Sequence, residues 1–139
     1  MKTGKFLLIV LITILMSFSL TFLFYNFFVV VDIQELDMKL KTGDIVGIDV
    51  NKSVISFGIV PPGGGGERPV IIKNMKNEPL RVHIKKSGEL KKFVYVSENN
   101  FVLEPNETKE LKFKALSPGG SEEKEYQGKV TFVFRRLIW

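Results

Sequence analysis

The sequence predicts an all-β domain, an antiparallel sandwich of about seven to nine strands, carried behind one N-terminal transmembrane α-helix. Three observations lead there. From Phe6 to Val31 no side chain is charged. Beyond that stretch apolar residues return at every second position, the period of a strand with one wet face, and no segment keeps the i, i+3, i+4 spacing of an amphipathic helix. Clusters of Gly, Pro and Asn punctuate these runs about every 8 to 14 residues.

At about 1.5 Å per helical residue, Phe6 to Val31 reaches about 39 Å, more than a hydrocarbon core of about 30 Å, so a tilted span is expected. Its few polar members, Thr13, Ser17, Ser19, Thr21 and Asn26, are small enough to satisfy themselves on the helix or against a neighbour. Phe22, Phe24, Tyr25, Phe27 and Phe28 crowd the end where a helix would leave the acyl chains. The rival reading is a cleaved signal peptide, with Lys2 and Lys5 at its start, Phe6 to Met16 as its apolar region and Ser17-Phe18-Ser19 as its cleavage site. Cleavage there would leave Leu20-Thr21-Phe22-Leu23-Phe24 facing water, so a retained signal anchor, holding the chain to membrane lipid through residues 6–31, is expected.

Lys2, Lys5 and the α-amine lie close before the span, whereas Asp32, Glu35 and Asp37 come first after it. That order places residues 1–5 in the cytoplasm as a short tail and residues 32–139 outside, in a single-pass protein of the cell membrane with an extracellular C-terminal domain. Two sequons, Asn51-Lys52-Ser53 and Asn106-Glu107-Thr108, make Asn51 and Asn106 glycosylation candidates on that side. There is no cysteine, so no disulfide framework or N-terminal lipid-modified Cys is available, and the fold must stand on its own core.

Residues 32–44 read as a juxtamembrane segment or first strand, and 45–139 as the sandwich. Leu36, Met38 and Leu40 alternate with Glu35, Asp37, Lys39 and Lys41; Leu80, Val82 and Ile84 with Arg81, His83 and Lys85; Tyr126, Val130, Phe132 and Phe134 with Gln127, Lys129, Thr131 and Arg135. Shorter runs at Ile45 to Val50, Ser53 to Ile59, Val70 to Lys73, Phe93 to Val96 and Lys109 to Ala115 complete the set. Phe57, Phe93, Phe101, Phe113, Phe132 and Phe134 are the expected large core fillers, with Val133 on the wet face opposite Phe132. Glu35 to Lys41 reads first as the domain's own opening strand. It is also a candidate edge to which a partner could add a strand.

The run Ile55-Ser56-Phe57-Gly58-Ile59-Val60-Pro61-Pro62-Gly63, followed by Pro69-Val70-Ile71-Ile72-Lys73-Asn74 and Asn77-Glu78-Pro79-Leu80-Arg81-Val82, resembles the immunoglobulin-like sandwiches of the major sperm protein and Hydin-repeat type. The resemblance continues through Phe101-Val102-Leu103-Glu104-Pro105-Asn106-Glu107-Thr108, similar to their proline-marked turn before a strand, and ends at Tyr126-Gln127-Gly128-Lys129-Val130-Thr131-Phe132. It covers about 80 residues and implies a single immunoglobulin-like sandwich. With its anchor, the whole chain resembles membrane-anchored, externally displayed archaeal proteins of this kind. The shared motifs are structural and imply no particular activity.

The chemistry of the chain is thin. The formal charge of +5 falls to +3 once Lys2 and Lys5 are set aside, and the remaining lysines mostly alternate with acids, which excludes a nucleic-acid surface. His83, the single histidine, sits between Arg81 and Lys85 on a polar strand face, where a solvated role is expected. One His and no Cys leave zinc without its preferred ligands, and no Gly-x-Ser-x-Gly elbow is present. Glu122, Glu123 and Glu125 beside Gly119-Gly120-Ser121 match no calcium pattern and read as a solvated hairpin loop. Pro61-Pro62 and the glycines to Gly66 lack the Gly-Lys-Ser/Thr ending of a phosphate cradle and read as a strand connection.

No cofactor, no metal and no enzymatic activity are expected. The expected function is a surface module for protein–protein interaction or cell-surface assembly, with a protein or glycan partner on the outer face. The alternative is a pilin-like filament subunit, with hydrophobic N-terminal helix and β-sandwich head; Gly4-Lys5, its one candidate processing point, puts a charge where the apolar helix should begin.

Overall fold

The structure, a computed structural model, describes residues 2–42, 54–119 and 123–137. Helix α1 (Lys2–Phe24) continues through a π turn (Tyr25–Val29), in which the Val30 N–H donates to the Tyr25 carbonyl. Thr3–Val29 is long and apolar enough to cross a membrane, and none of its most apolar stretch is buried by the rest of the protein. Thr13 donates to the Ile9 carbonyl at 2.9 Å, Thr21 to Ser17 at 2.9 Å and Asn26 to Phe22 at 3.0 Å, so these polar side chains are satisfied on their own helix as hydrocarbon surroundings demand.

Strand β1 (Val30–Thr42) follows without a spacer. Val30 and Val31, assigned to the span by hydropathy alone, are strand residues instead; their β-branched side chains suit an extended backbone, and Val30 stands in register with Arg135. The remaining strands are β2 (Val54–Val60), β3 (Gly65–Lys73), β4 (Leu80–Gly88), β5 (Val94–Val96), β6 (Phe101–Leu103), β7 (Thr108–Leu116) and β8 (Glu125–Arg136), with a 3₁₀ turn at Glu89–Lys92. They form a five-stranded sheet, β2-β1-β8-β4-β6, and a three-stranded sheet, β3-β7-β5.

Several sequence expectations are corrected. The pairing is not wholly antiparallel, because β1 and β2 run parallel, Asp37 opposite Val54 and Thr42 opposite Val60. Parallel neighbours need a crossover rather than a hairpin. The connection, residues 43–53, lies outside the described residues, and so does the run Ile45 to Val50 that alternation marked as a strand. Phe101–Leu103, read as the approach to a turn, is a short strand that pairs Leu80 with Leu103 and Val82 with Phe101. Gly65 and Gly66 belong to β3, opposite Leu116 and Ala115, leaving only Pro61 to Gly64 as the turn. Glycine is needed at 66 because a Cβ there would meet the Phe57 carbonyl oxygen at 2.9 Å.

One hydrophobic core is shared by the two sheets. Met38 and Leu40 of β1, Val82 and Ile84 of β4, Val130, Phe132 and Phe134 of β8, and Leu111, Phe113 and Ala115 of β7 all contribute to it. Phe113 and Phe132 meet across the sheets edge to face, ring centroids 6.1 Å apart. Burying each such ring stabilises the fold by up to about 3 kcal/mol, and the edge-on pairing adds about 1 kcal/mol. Phe57 is buried as well, whereas Phe93 is half-buried and rests edge-on against Tyr126. Val133 is not on a wet face: only 6% of it is exposed, because register sets it between Ile33 of β1 and His83 of β4 on a sheet surface whose neighbouring rows cover it.

Candidate interaction surface

A sheet domain meets a partner through an unpaired strand edge or an outward face. Of the segment Glu35 to Lys41, the part from Asp37 on is not an edge, since β1 is paired there to β8 on one side and β2 on the other; Glu35 and Leu36 are paired to β8. Elsewhere, side chains cover main-chain groups that a partner strand would need. Arg68 Nε, from β3, donates to the Ser56 carbonyl of β2 at 2.7 Å. β6 covers β4 only from Leu80 to Val82, and just past it Asn99 takes both main-chain groups of Ile84. Lys86 Nζ donates to the Val94 carbonyl of β5. Covered edges of this kind oppose strand addition.

The outward face of the three-stranded sheet is more open. Alternation along β3, β7 and β5 turns Glu67, Ile71, Glu110, Lys112, Lys114 and Tyr95 away from the core, with Glu67, Lys114 and Tyr95 in one cross-strand row. Ile71 is 68% exposed and Tyr95 55%, large apolar surfaces for positions that fold stability leaves free. Lys86 Nζ lies 5.7 Å from the centre of the Tyr95 ring, which holds the ring at the sheet margin.

On the five-stranded sheet the outward rows include Ile33–Val133–His83 and, nearer the helix, Arg135–Arg81. His83 is half-buried against these neighbours, and among the described residues its side chain makes no hydrogen bond or ion pair. Among the described residues no group of three His, Cys, Asp or Glu could hold a metal ion. Of the acidic loop, Glu122 lies outside the described residues, and Glu125 accepts a hydrogen bond from Gln127 at 3.1 Å.

Asn106 is exposed and takes a left-handed conformation, φ 61°, in the turn before β7, while Asn51 lies outside the described residues. The turn is held by Asn74, a residue that patterning did not single out. Its Nδ2 donates to the carbonyls of Glu78 at 2.8 Å and Leu103 at 3.0 Å, its Oδ1 accepts the Lys76 N–H at 2.9 Å, and its own carbonyl accepts the Asn106 N–H at 3.1 Å. With 1% exposure and its polar groups occupied, Asn74 fastens the β3–β4 loop to the β6–β7 turn. The one sequence signal for it is a polar residue where the alternation of β3 calls for an apolar one.

Residues 46–128 match a family model described as "-like, C-terminal domain". The chain belongs to that family. The matched stretch runs from before β2 into the first residues of β8, so α1 and β1 precede the family's domain in sequence although β1 lies inside its sheet. No curated protein and no solved structure matches the chain.

Proposed function

We propose that this chain is a non-enzymatic, membrane-anchored module: an immunoglobulin-like sandwich held outside the cell membrane, where it contacts a protein or a glycan coat in surface assembly. The observation that carries this reading is the join between α1 and β1. Val29 closes the π turn, Val30 opens the strand, and the strand is laced to β2 and β8, so the orientation of the helix sets the orientation of the sheet. A domain joined in this way cannot swing on a linker. It presents one surface at a fixed height above the bilayer, which suits a contact module better than a freely diffusing head.

Two sheets sharing one core, with Phe113 facing Phe132, support the sandwich reading. The covered edges favour a sheet face over strand addition, and the face bearing Ile71 and Tyr95 is the contact surface we assign. A photo-crosslinking residue at position 71 or 95 of the full chain, activated on intact membranes, tests this. A discrete adduct that disappears when the other position is changed to Ser supports it; adducts only from β1 or β8 positions would oppose it. Protease added to right-side-out vesicles should remove residues beyond Val31, and protection of the domain would reverse the topology. Recovery of the chain in sheared filaments, with processing before the apolar run, would favour the pilin-like subunit.

A further inference from the structure

The two arginines nearest the helix are an unusual pair. Arg81 of β4 and Arg135 of β8 are register partners, and alternation turns both away from the core on the same face. Like charges directly opposite on neighbouring strands are destabilising. Neither has an acid here. Arg136, the next residue, is paired with Glu78 at 2.9 Å, and on the outward face of β1 Glu35 lies two rows away beside Lys129 and Thr131. Among the described residues neither the Arg81 nor the Arg135 side chain makes a hydrogen bond or an ion pair, and Arg135 Nε is buried without an acceptor. A guanidinium nitrogen withdrawn from water without an acceptor calls for an explanation, and a charge-assisted bond to an oxygen anion is the strong partner for such a group.

The position of the pair says which ligand. The Arg135 guanidinium stands 5.7 Å from the centre of the Tyr25 ring, and Tyr25 opens the π turn at the end of the span. Tyr25 is about 28 Å along the helix from Phe6, which sets it at the boundary of a hydrocarbon layer of about 30 Å. Tyrosine at that depth is an interfacial anchor, and a guanidinium just above it stands in the layer of headgroup phosphates. We propose that Arg81 and Arg135 bind the phosphate of a lipid headgroup in the leaflet where α1 ends, locking the domain to the bilayer at a second point beside the helix. Guanidinium forks match phosphate oxygens in pairs, so one phosphate between two arginines satisfies both and relieves their repulsion.

The proposal rests on α1 spanning a bilayer. The test uses full-length protein in lipid nanodiscs, with spin-labelled phosphatidylglycerol compared against a spin-labelled uncharged galactolipid by electron paramagnetic resonance. The wild type should hold phosphatidylglycerol in the motionally restricted fraction about fivefold over the galactolipid. Arg81→Gln with Arg135→Gln should remove that preference, whereas Arg136→Gln should keep most of it. Equal preference in all three proteins, or none in the wild type, overturns the site; loss of the preference on adding millimolar inorganic phosphate shows a free anion as occupant and overturns the lipid assignment. If α1 does not span, no restricted lipid of either kind appears, which separates failure of the anchor from failure of the site. Unfolding in an uncharged detergent checks the variants, and the double variant should be at least as stable as the wild type, because the repulsion is gone.

Discussion

Asn99 pairs with Ile84 as a neighbouring strand would: its Oδ1 accepts the Ile84 N–H at 2.7 Å and its Nδ2 donates to the Ile84 carbonyl at 2.9 Å. One side chain therefore ends the five-stranded sheet where the three-residue strand β6 stops. Asn99→Ala should cost about 1–2 kcal/mol, since both groups are only partly screened by water. Asn99→Asp, which keeps the acceptor and loses the donor, should fall between. Urea unfolding of the full chain in mild detergent measures both. The Ala variant should also self-associate more readily, by exposing the edge of β4.

Asn74 predicts a larger loss. Replacing it with Ala leaves the Leu103 and Glu78 carbonyls and the Lys76 N–H without their partner in a site with 1% exposure, a cost of about 3 kcal/mol. Asn74→Asp should be worse, because a carboxylate would face carbonyl oxygens. A thermal melt in which Asn74→Asp matched the wild type would show that the loop tie contributes nothing.

Phe132 and Val133 test the two sides of β8. Phe132→Asp should unfold the domain, as an unpaired carboxylate in the shared core costs several kcal/mol against a total stability of about 5–15 kcal/mol. Val133→Asp should cost about 2 kcal/mol rather than being silent, because Val133 is buried between Ile33 and His83 on the outer side. Near-UV circular dichroism and urea midpoints read both, and an unchanged midpoint for Val133→Asp would show that side to be open.

Proline in β1 distinguishes an interior strand from an edge. Lys39→Pro removes a backbone donor and strains a strand that is paired to both β2 and β8 at that position, so the variant should fail to fold, at a cost of about 3 kcal/mol or more. Loss of partner binding with an intact melt would return the segment to the role of an edge.

Asn106 probes topology. In a host that glycosylates exported proteins, its exposed turn should carry glycan, and Thr108→Ala should remove it, as read by intact mass. An unmodified Asn106 in such a host would count against external display.

Legibility followed the range of the interaction. Period-two runs at Leu80 to Lys85, Lys109 to Ala115 and Tyr126 to Arg135 were readable because each strand states locally which side meets the core, and the uncharged stretch after Phe6 announced itself by length. Burial of Phe57, Phe113, Phe132 and Phe134 follows from the same alternation, while Phe93, half-buried, packs against the core from its margin.

The sequence by itself determined a chain with one apolar helix and a mostly β remainder, since hydropathy and alternation are properties of neighbours along the chain. Only the tertiary structure decided that β1 is an interior strand parallel to β2, that Val133 is covered from both flanks, and that Asn74, Asn99 and Arg68 occupy main-chain groups far away in sequence. It also brought Arg81 beside Arg135 and set Arg135 against Tyr25 at the end of the span. The physical reason is that strand order and register come from the closing of one core between distant segments, and no local pattern states which strand will lie beside which.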